Sequence, residues 1–221
     1  NLLVVQTSFV KNWARKRFKR LNIKTIYNPI DISPLNEKKD IINFLNVGTI
    51  KFEKNHLLLL KSFNKIHHSL NNQSKLIIIG GIESNELYKK LLHFIEKNNL
   101  EDKVVFKGAK KNVNNYYCNN NIFVLSSIYE GMSNALLEAM SLESACISTD
   151  YEGINEIIIN NETGLIVQSN NIDRLASSML KLYKSRKTRL KLGKNARLKI
   201  ISDFEKNKIL KQWLNVIIDT K

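Results

Sequence analysis

From Asn43 onward the chain alternates two kinds of stretch. Short apolar runs occur at Phe44–Val47, Lys75–Ile79, Val104–Lys107, Ile122–Ser126 and Ala145–Thr149, with apolar side chains at consecutive positions, as in strands buried on both faces. Between them lie longer amphipathic stretches, read as helices over Glu53–Leu70, Glu83–Asn98, Asn112–Asn119 and Asn134–Leu142. A short helix through Ile159, an edge strand at Leu165–Val167 and helices over 171–184, 186–201 and 204–219 complete the pattern. Ahead of it, Leu2–Val5 reads as a strand, Ser8 as the cap of a basic helix running to Arg20, and Ile23–Tyr27 as a second strand. The segment Asn28-Pro-Ile-Asp-Ile-Ser-Pro34 follows, holds both prolines of the chain and is the best linker. Strands alternating with helices predict βαβ units and a parallel, doubly wound sheet, a Rossmann-like α/β fold with extra C-terminal helices.

The glycines sharpen this picture. Of eight, Gly48, Gly80, Gly81, Gly108, Gly131 and Gly153 fall at or just after the ends of predicted strands. In a parallel sheet those ends share one edge, where doubly wound folds bind ligands. Turns following strands favour glycine in any case, but six on one edge make a binding cleft the better reading.

Candidate chemistry concentrates in Glu130-Gly-Met-Ser-Asn-Ala-Leu-Leu-Glu138. Ser133 stands at the expected N-cap, which places Glu130 in the preceding loop and Glu138 just over one turn inside the helix. Amide groups at a helix start suit a phosphate, and carboxylates accept bonds from hydroxyls. On spacing alone, a capped helix with two solvated glutamates accounts for the stretch equally well. Lys54, six positions after Gly48, would stand on the same edge as a point charge for a phosphate, with Lys51 a competitor and an ordinary surface lysine the plainer reading.

Composition changes the picture in three places. With 221 residues, 43% of them hydrophobic, the chain is globular and large enough for a real core. No apolar run approaches the roughly 20 residues of a membrane-spanning helix, and no signal peptide opens the chain. It begins in mid-element and reads as a piece of a longer protein. Cys118 and Cys146 lack disulfide or metal spacing, which fits a reducing compartment, and the four histidines suggest no metal site. His67 and His68 are expected on different sides of a helix. The formal charge of +15 is scattered except for Lys11–Arg20 (KNWARKRFKR), where Trp13 and Phe18 interleave with six basic residues. Without a nucleic-acid motif, a solvated basic face is favoured over a DNA or RNA site, and weak attraction to anionic lipid stays open.

An ordered set of motifs then carries a resemblance covering nearly the whole chain: Tyr27-Asn-Pro-Ile-Asp31, Val47-Gly48 to Lys54-Asn55, Ile79-Gly80-Gly81, Phe106-Lys-Gly108, the glutamates 130 and 138 separated by seven residues, Thr149–Glu156 and Asn161–Leu165. The sequence resembles the C-terminal half of a retaining nucleotide-sugar glycosyltransferase of the GT-B fold, in the large family 4. The resemblance implies transfer of a sugar from a nucleotide-diphosphate donor to a glycan or lipid-linked acceptor, with retained configuration and neither metal nor other cofactor. It implies that Glu130 contacts donor-sugar hydroxyls and Glu138 the ribose. It also implies that the backbone of Gly131, Met132, Ser133 and Asn134 holds the diphosphate with Lys54 as its cation and catalytic partner of Glu130, that Gly48, Thr49, Gly80 and Gly81 line the donor site, and that Gly108 lies beside the base. Thr49 stands where the family usually has a basic residue, which leaves Lys54 with more of the work.

By the same resemblance, residues 1–27 are the end of an N-terminal acceptor domain, 28–40 a linker and 41–221 the nucleotide-sugar domain, with the helix at 204–221 crossing back toward the first domain. The fragment alone would then be inactive. Cytoplasmic placement, at the inner membrane face, goes with it. A nucleotide-sugar epimerase or hydrolase on the same fold, or a non-catalytic nucleotide-binding module, remains open, since fold does not fix reaction.

Overall fold

The computed structural model describes residues 2–35, 41–119 and 122–219. The end of the expected linker (36–40) and residues 220–221 of the expected last helix lie outside them, as does the side chain of Cys118.

The body is a parallel sheet of six strands: β3 (Phe44–Val47), β4 (Leu76–Ile79), β5 (Val104–Phe106), β6 (Ile122–Leu125), β7 (Ala145–Thr149) and β8 (Leu165–Val167). Their spatial order is β5-β4-β3-β6-β7-β8, every pair parallel. The chain thus winds outward in one direction from β3 and in the other from β6, and the crossover between these two strands is the switch point of a doubly wound sheet. Both faces are covered. Phe44, Ile122 and Val124 point into one core, against α2 (His56–Ile66) and α7 (Ile172–Lys184). Leu45, Phe123 and Leu125 point into the other, against α5 (Asn134–Ser141) and α8 (Arg186–Asp203). Burial on both sides explains why the strands read as continuous apolar runs. β8 lies at the sheet edge, as its pattern predicts.

Several boundaries depart from expectation. The helix expected over Glu53–Leu70 is three pieces: a 3-10 turn Phe52–Lys54, α2, and a second 3-10 turn His67–Ser69. Asn55 between the first two is left-handed (φ 47°), a conformation asparagine tolerates, and it turns Lys54 off the helix into the loop. His67 and His68 do not diverge, because the tighter second turn sets their rings 3.6 Å apart. The remaining helices of the body are α3 (Asn85–Lys97), α4 (Asn114–Asn119) and α6 (Ile154–Ile157).

The first residues form a separate parallel pair, β1 (Leu2–Val5) and β2 (Asn22–Thr25), crossed by α1 (Ser8–Arg17). Thr7, not Ser8, caps this helix, its hydroxyl accepting from the Val10 amide at 3.1 Å. The helix ends at Arg17 rather than Arg20. A second acceptor comes from the body: the Glu156 carboxylate takes the Ser8 amide at 2.7 Å and the Phe9 amide at 3.1 Å, and the Tyr27 hydroxyl at 3.2 Å. The closing helix α9 (Lys206–Asp219) returns to this unit, with Ile209 and Val216 buried against Ile26. Its other face carries Leu210, Trp213, Leu214, Ile217 and Ile218, between 38% and 68% exposed.

Candidate functional site

The site lies where β3 and β6 diverge. Past β3, Gly48 lets the stem of Lys54 lie over the backbone, since a Cβ there would stand 3.3 Å from the lysine Cδ. Past β6, Ser127 and Glu130 face that lysine. The Lys54 ammonium meets Glu130 Oε1 at 2.5 Å, and the Ser127 hydroxyl donates to the same oxygen at 2.7 Å. Both side chains of the ion pair are largely covered, 18% and 13% exposed, so solvent screens the attraction less than at an open surface. The two loops are bound by their backbones as well: the Ile128 amide donates to Glu53 O and the Ser126 hydroxyl to Lys54 O, each at 2.8 Å.

A third loop closes on these. A Cβ at Gly80 would fall 2.0 Å from the Gly48 carbonyl oxygen, so no other residue fits without moving the backbone. The Gly80 amide in turn donates to Gly108 O at 3.1 Å. Gly81, Gly108 and Gly131 are different, with no atom closer than 3.7 Å to an added Cβ. Gly108 needs its identity for its backbone, at φ 63°. Thr49 continues the Gly48 turn, and its amide lies 3.0 Å from the Gly80 Cβ position.

At the start of α5, Ser133 occupies the N-cap position but is buried and makes no side-chain cap bond. The helix is held instead from the linker. The Asn28 side chain donates to Asn134 Oδ1 at 2.6 Å and to Met132 O at 3.5 Å, and its amide to Met132 Sδ at 3.3 Å. The first turn of α5 thus has no acceptor from its cap residue, the condition in which a helix start takes an anion.

Glu130 and Glu138 are not brought together. Glu138 accepts from the Tyr117 hydroxyl at 2.9 Å and lines a cavity of about 210 Å³ with Pro29, Asp31, Ser33 and Asn114. Burial raises its carboxyl above the ordinary value, against the opposing effect of the Tyr117 bond. Glu130 lines a different cavity, of about 540 Å³, between α1 and the loops after β6 and β7. Tyr151 borders it, its buried hydroxyl without a hydrogen-bond partner among the described residues. Burial and then the Glu130 charge push the Tyr151 phenol up, so it stays protonated.

Ser127, His56 and Tyr117 escaped the sequence reading. Ser127 had a local signal, a hydroxyl three positions before Glu130 at a strand end. His56 looked like any first residue of a helix, yet its ring is fully buried beside Lys54 and its nitrogens form no well-aligned hydrogen bond among the described residues. Burial first, and the Lys54 charge second, push it down to about 4, with a weak opposing effect from the Gly48 backbone, so the ring is neutral at ordinary pH. Among the described residues, no three His, Cys, Asp or Glu cluster as metal ligands.

A doubly wound sheet with a lysine–glutamate pair at its switch point defines a class, and comparison with known proteins narrows it. Residues 28–199 match the family Glycosyl transferases group 1, and the chain belongs to that family. It is 30% identical over 200 residues to the N-acetylgalactosamine-N,N'-diacetylbacillosaminyl-diphospho-undecaprenol 4-alpha-N-acetylgalactosaminyltransferase of Campylobacter jejuni, covering 87% of this chain and 53% of that protein. A solved structure of S. aureus TarM in complex with Fondaparinux, alpha-GlcNAc-glycerol and UDP superposes with a TM-score of 0.86 at 25% identity, covering 96% of this chain and 43% of that one. Anabaena Alr3699/HepE in complex with UDP and glucose shares the fold, with a TM-score of 0.89 at 16% identity over 99% of this chain and 63% of that one. The chain spans about half the length of the curated relatives it matches.

Proposed function

We propose that the chain forms the donor-binding half of a retaining glycosyltransferase, which moves a sugar from a nucleotide-diphosphate sugar to a glycan or lipid-linked acceptor. The observation that carries this reading is the Lys54–Glu130 pair at the β3/β6 switch point. A diphosphate leaving group gathers negative charge as the glycosidic bond breaks, and a fixed cation with helix-start amides stabilises that charge without a metal. In this reading Lys54 and the Gly131–Asn134 backbone hold the diphosphate, with Gly48, Thr49, Gly80 and Gly81 lining the cleft. Glu130 holds hydroxyls of the donor sugar, Glu138 the ribose, and Gly108 borders the base. Front-face attack by the acceptor retains the configuration and asks for no second nucleophile.

The Campylobacter relative is named for an undecaprenol-linked acceptor, which supports a lipid-linked acceptor here; work at the inner face of the cytoplasmic membrane is a further part of the proposal. Exposed Trp13 and Phe18 among the basic residues of α1 and its end suit that surface. Transfer needs donor and acceptor held in one geometry, and in this reading residues 1–221 on their own bind donor without transferring it.

Calorimetry with UDP, GDP, ADP and their sugars tests the reading. One of these nucleotides should bind with an affinity unchanged by EDTA. Binding only with magnesium or manganese added would refute metal-free binding, and no binding at all would refute the donor site.

A further inference from the structure

Glu138 has one oxygen held and one open. Its Oε2 accepts from Tyr117, while Oε1 accepts no bond among the described residues. The charged groups around its cavity are engaged elsewhere. Asp31 is ion-paired with Lys206 at 2.9 Å, and the Arg197 guanidinium bonds the carbonyls of Ser141 and Ser33. Among the described residues, the phenol is the one hydrogen-bond partner of this half-buried carboxylate.

Tyr117 itself is immobilised. Its ring is fully buried and lies edge-on to Phe123, centroids 5.8 Å apart, on the short helix α4 that packs against α5. Burial and the neighbouring Glu138 charge raise its phenol, which keeps it a donor throughout the ordinary pH range. A fixed donor on one oxygen does two things to a carboxylate. It selects one rotamer, and it opposes protonation, which would convert an acceptor oxygen into a donor. Ribose offers a rigid pair of hydroxyls, so its recognition depends on acceptor lone pairs held in one direction.

We infer that Tyr117 is a positioning residue, which turns the open oxygen of Glu138 toward the ribose hydroxyls of the nucleotide. The inference rests on the ribose role given to Glu138 above. Tyr117→Phe removes one oxygen and keeps the buried ring, and its melting temperature verifies the fold.

The experiment measures, by calorimetry, the affinity of wild type, Tyr117→Phe and Glu138→Ala for whichever of UDP, GDP or ADP binds and for its 2′-deoxy counterpart. Wild type should prefer the ribonucleotide about fivefold, the value of one hydrogen bond of ordinary net strength. Tyr117→Phe should bring that preference within about twofold while leaving 2′-deoxy affinity almost unchanged. It should also move the acid limb of nucleotide affinity to higher pH, which a purely structural role would not do. A preference kept by Tyr117→Phe but lost in Glu138→Ala overturns the positioning role and leaves the Glu138 reading standing. A preference kept in both overturns the Glu138 reading, and this inference with it.

Discussion

At the scale of single residues, Lys54 and Glu130 constrain one another. The ammonium already has an anionic partner at 2.5 Å, so a diphosphate must draw it away from Glu130 or share it. Glu130→Gln should therefore tighten binding of a free nucleoside diphosphate, by about fivefold if roughly 1 kcal/mol of pairing is released. Lys54→Met should weaken it and also destabilise the fold by about 1–3 kcal/mol, because Glu130 is left covered with only Ser127, among the described residues, to satisfy it. Titration calorimetry and thermal melts of both variants check this, and weaker binding by Glu130→Gln would show that the pair does not compete with the ligand. Both residues were legible as motif positions. Their contact was not, because they stand 76 positions apart and only the placement of β3 beside β6 joins them. Tyr117 left no trace either: nothing in Asn-Asn-Tyr-Tyr says which tyrosine turns inward, or toward which acid.

At the scale of elements, strands were easier to read than helix ends. A strand buried on two faces announces itself by composition, whereas a helix start depends on one hydroxyl and its backbone angles. Thr7 and Ser8 are chemically alike, and only the extended conformation of Thr7 (φ −140°) selects it as the cap. Ser133 has the right position and residue type, yet its side chain is buried without the cap bond, and Asn28 holds the element from outside. The start of α1 shows the same dependence on distant chain, since Glu156 accepts two of its amides from 147 and 148 residues away. A carboxylate there works both as acceptor and as a charge at the positive end of the helix. Glu156→Ala should cost about 1 kcal/mol of stability and speed hydrogen exchange at the Ser8 and Phe9 amides, read by NMR. Unchanged exchange would mean that Thr7 alone holds this end.

At the scale of the whole molecule, alternation of strand and helix predicted the doubly wound sheet, and the observed strand order brings the turns after β3 and β6 together at one crossover. The net charge of +15 predicted little, being scattered along the sequence outside Lys11–Arg20. The closing helix carries a larger consequence. Leu210, Trp213, Leu214, Ile217 and Ile218 recur at the spacing of a helical stripe and are exposed, an arrangement that invites association. Replacing Leu214 and Ile218 by lysine should lower concentration-dependent self-association of residues 1–221 in sedimentation velocity and leave the melting temperature within about 1 °C, as surface changes usually do. Equal association by the variant would place the sticky surface elsewhere. The glycines, finally, divide the proposed donor cleft into ground that tolerates redesign and ground that does not. Directed evolution of ligand choice would find no viable substitution at Gly80, where the neighbouring carbonyl leaves 2.0 Å, and only strained ones at Gly108. Gly81 and Gly131, with room for a side chain and no left-handed φ, are where a library has freedom to search.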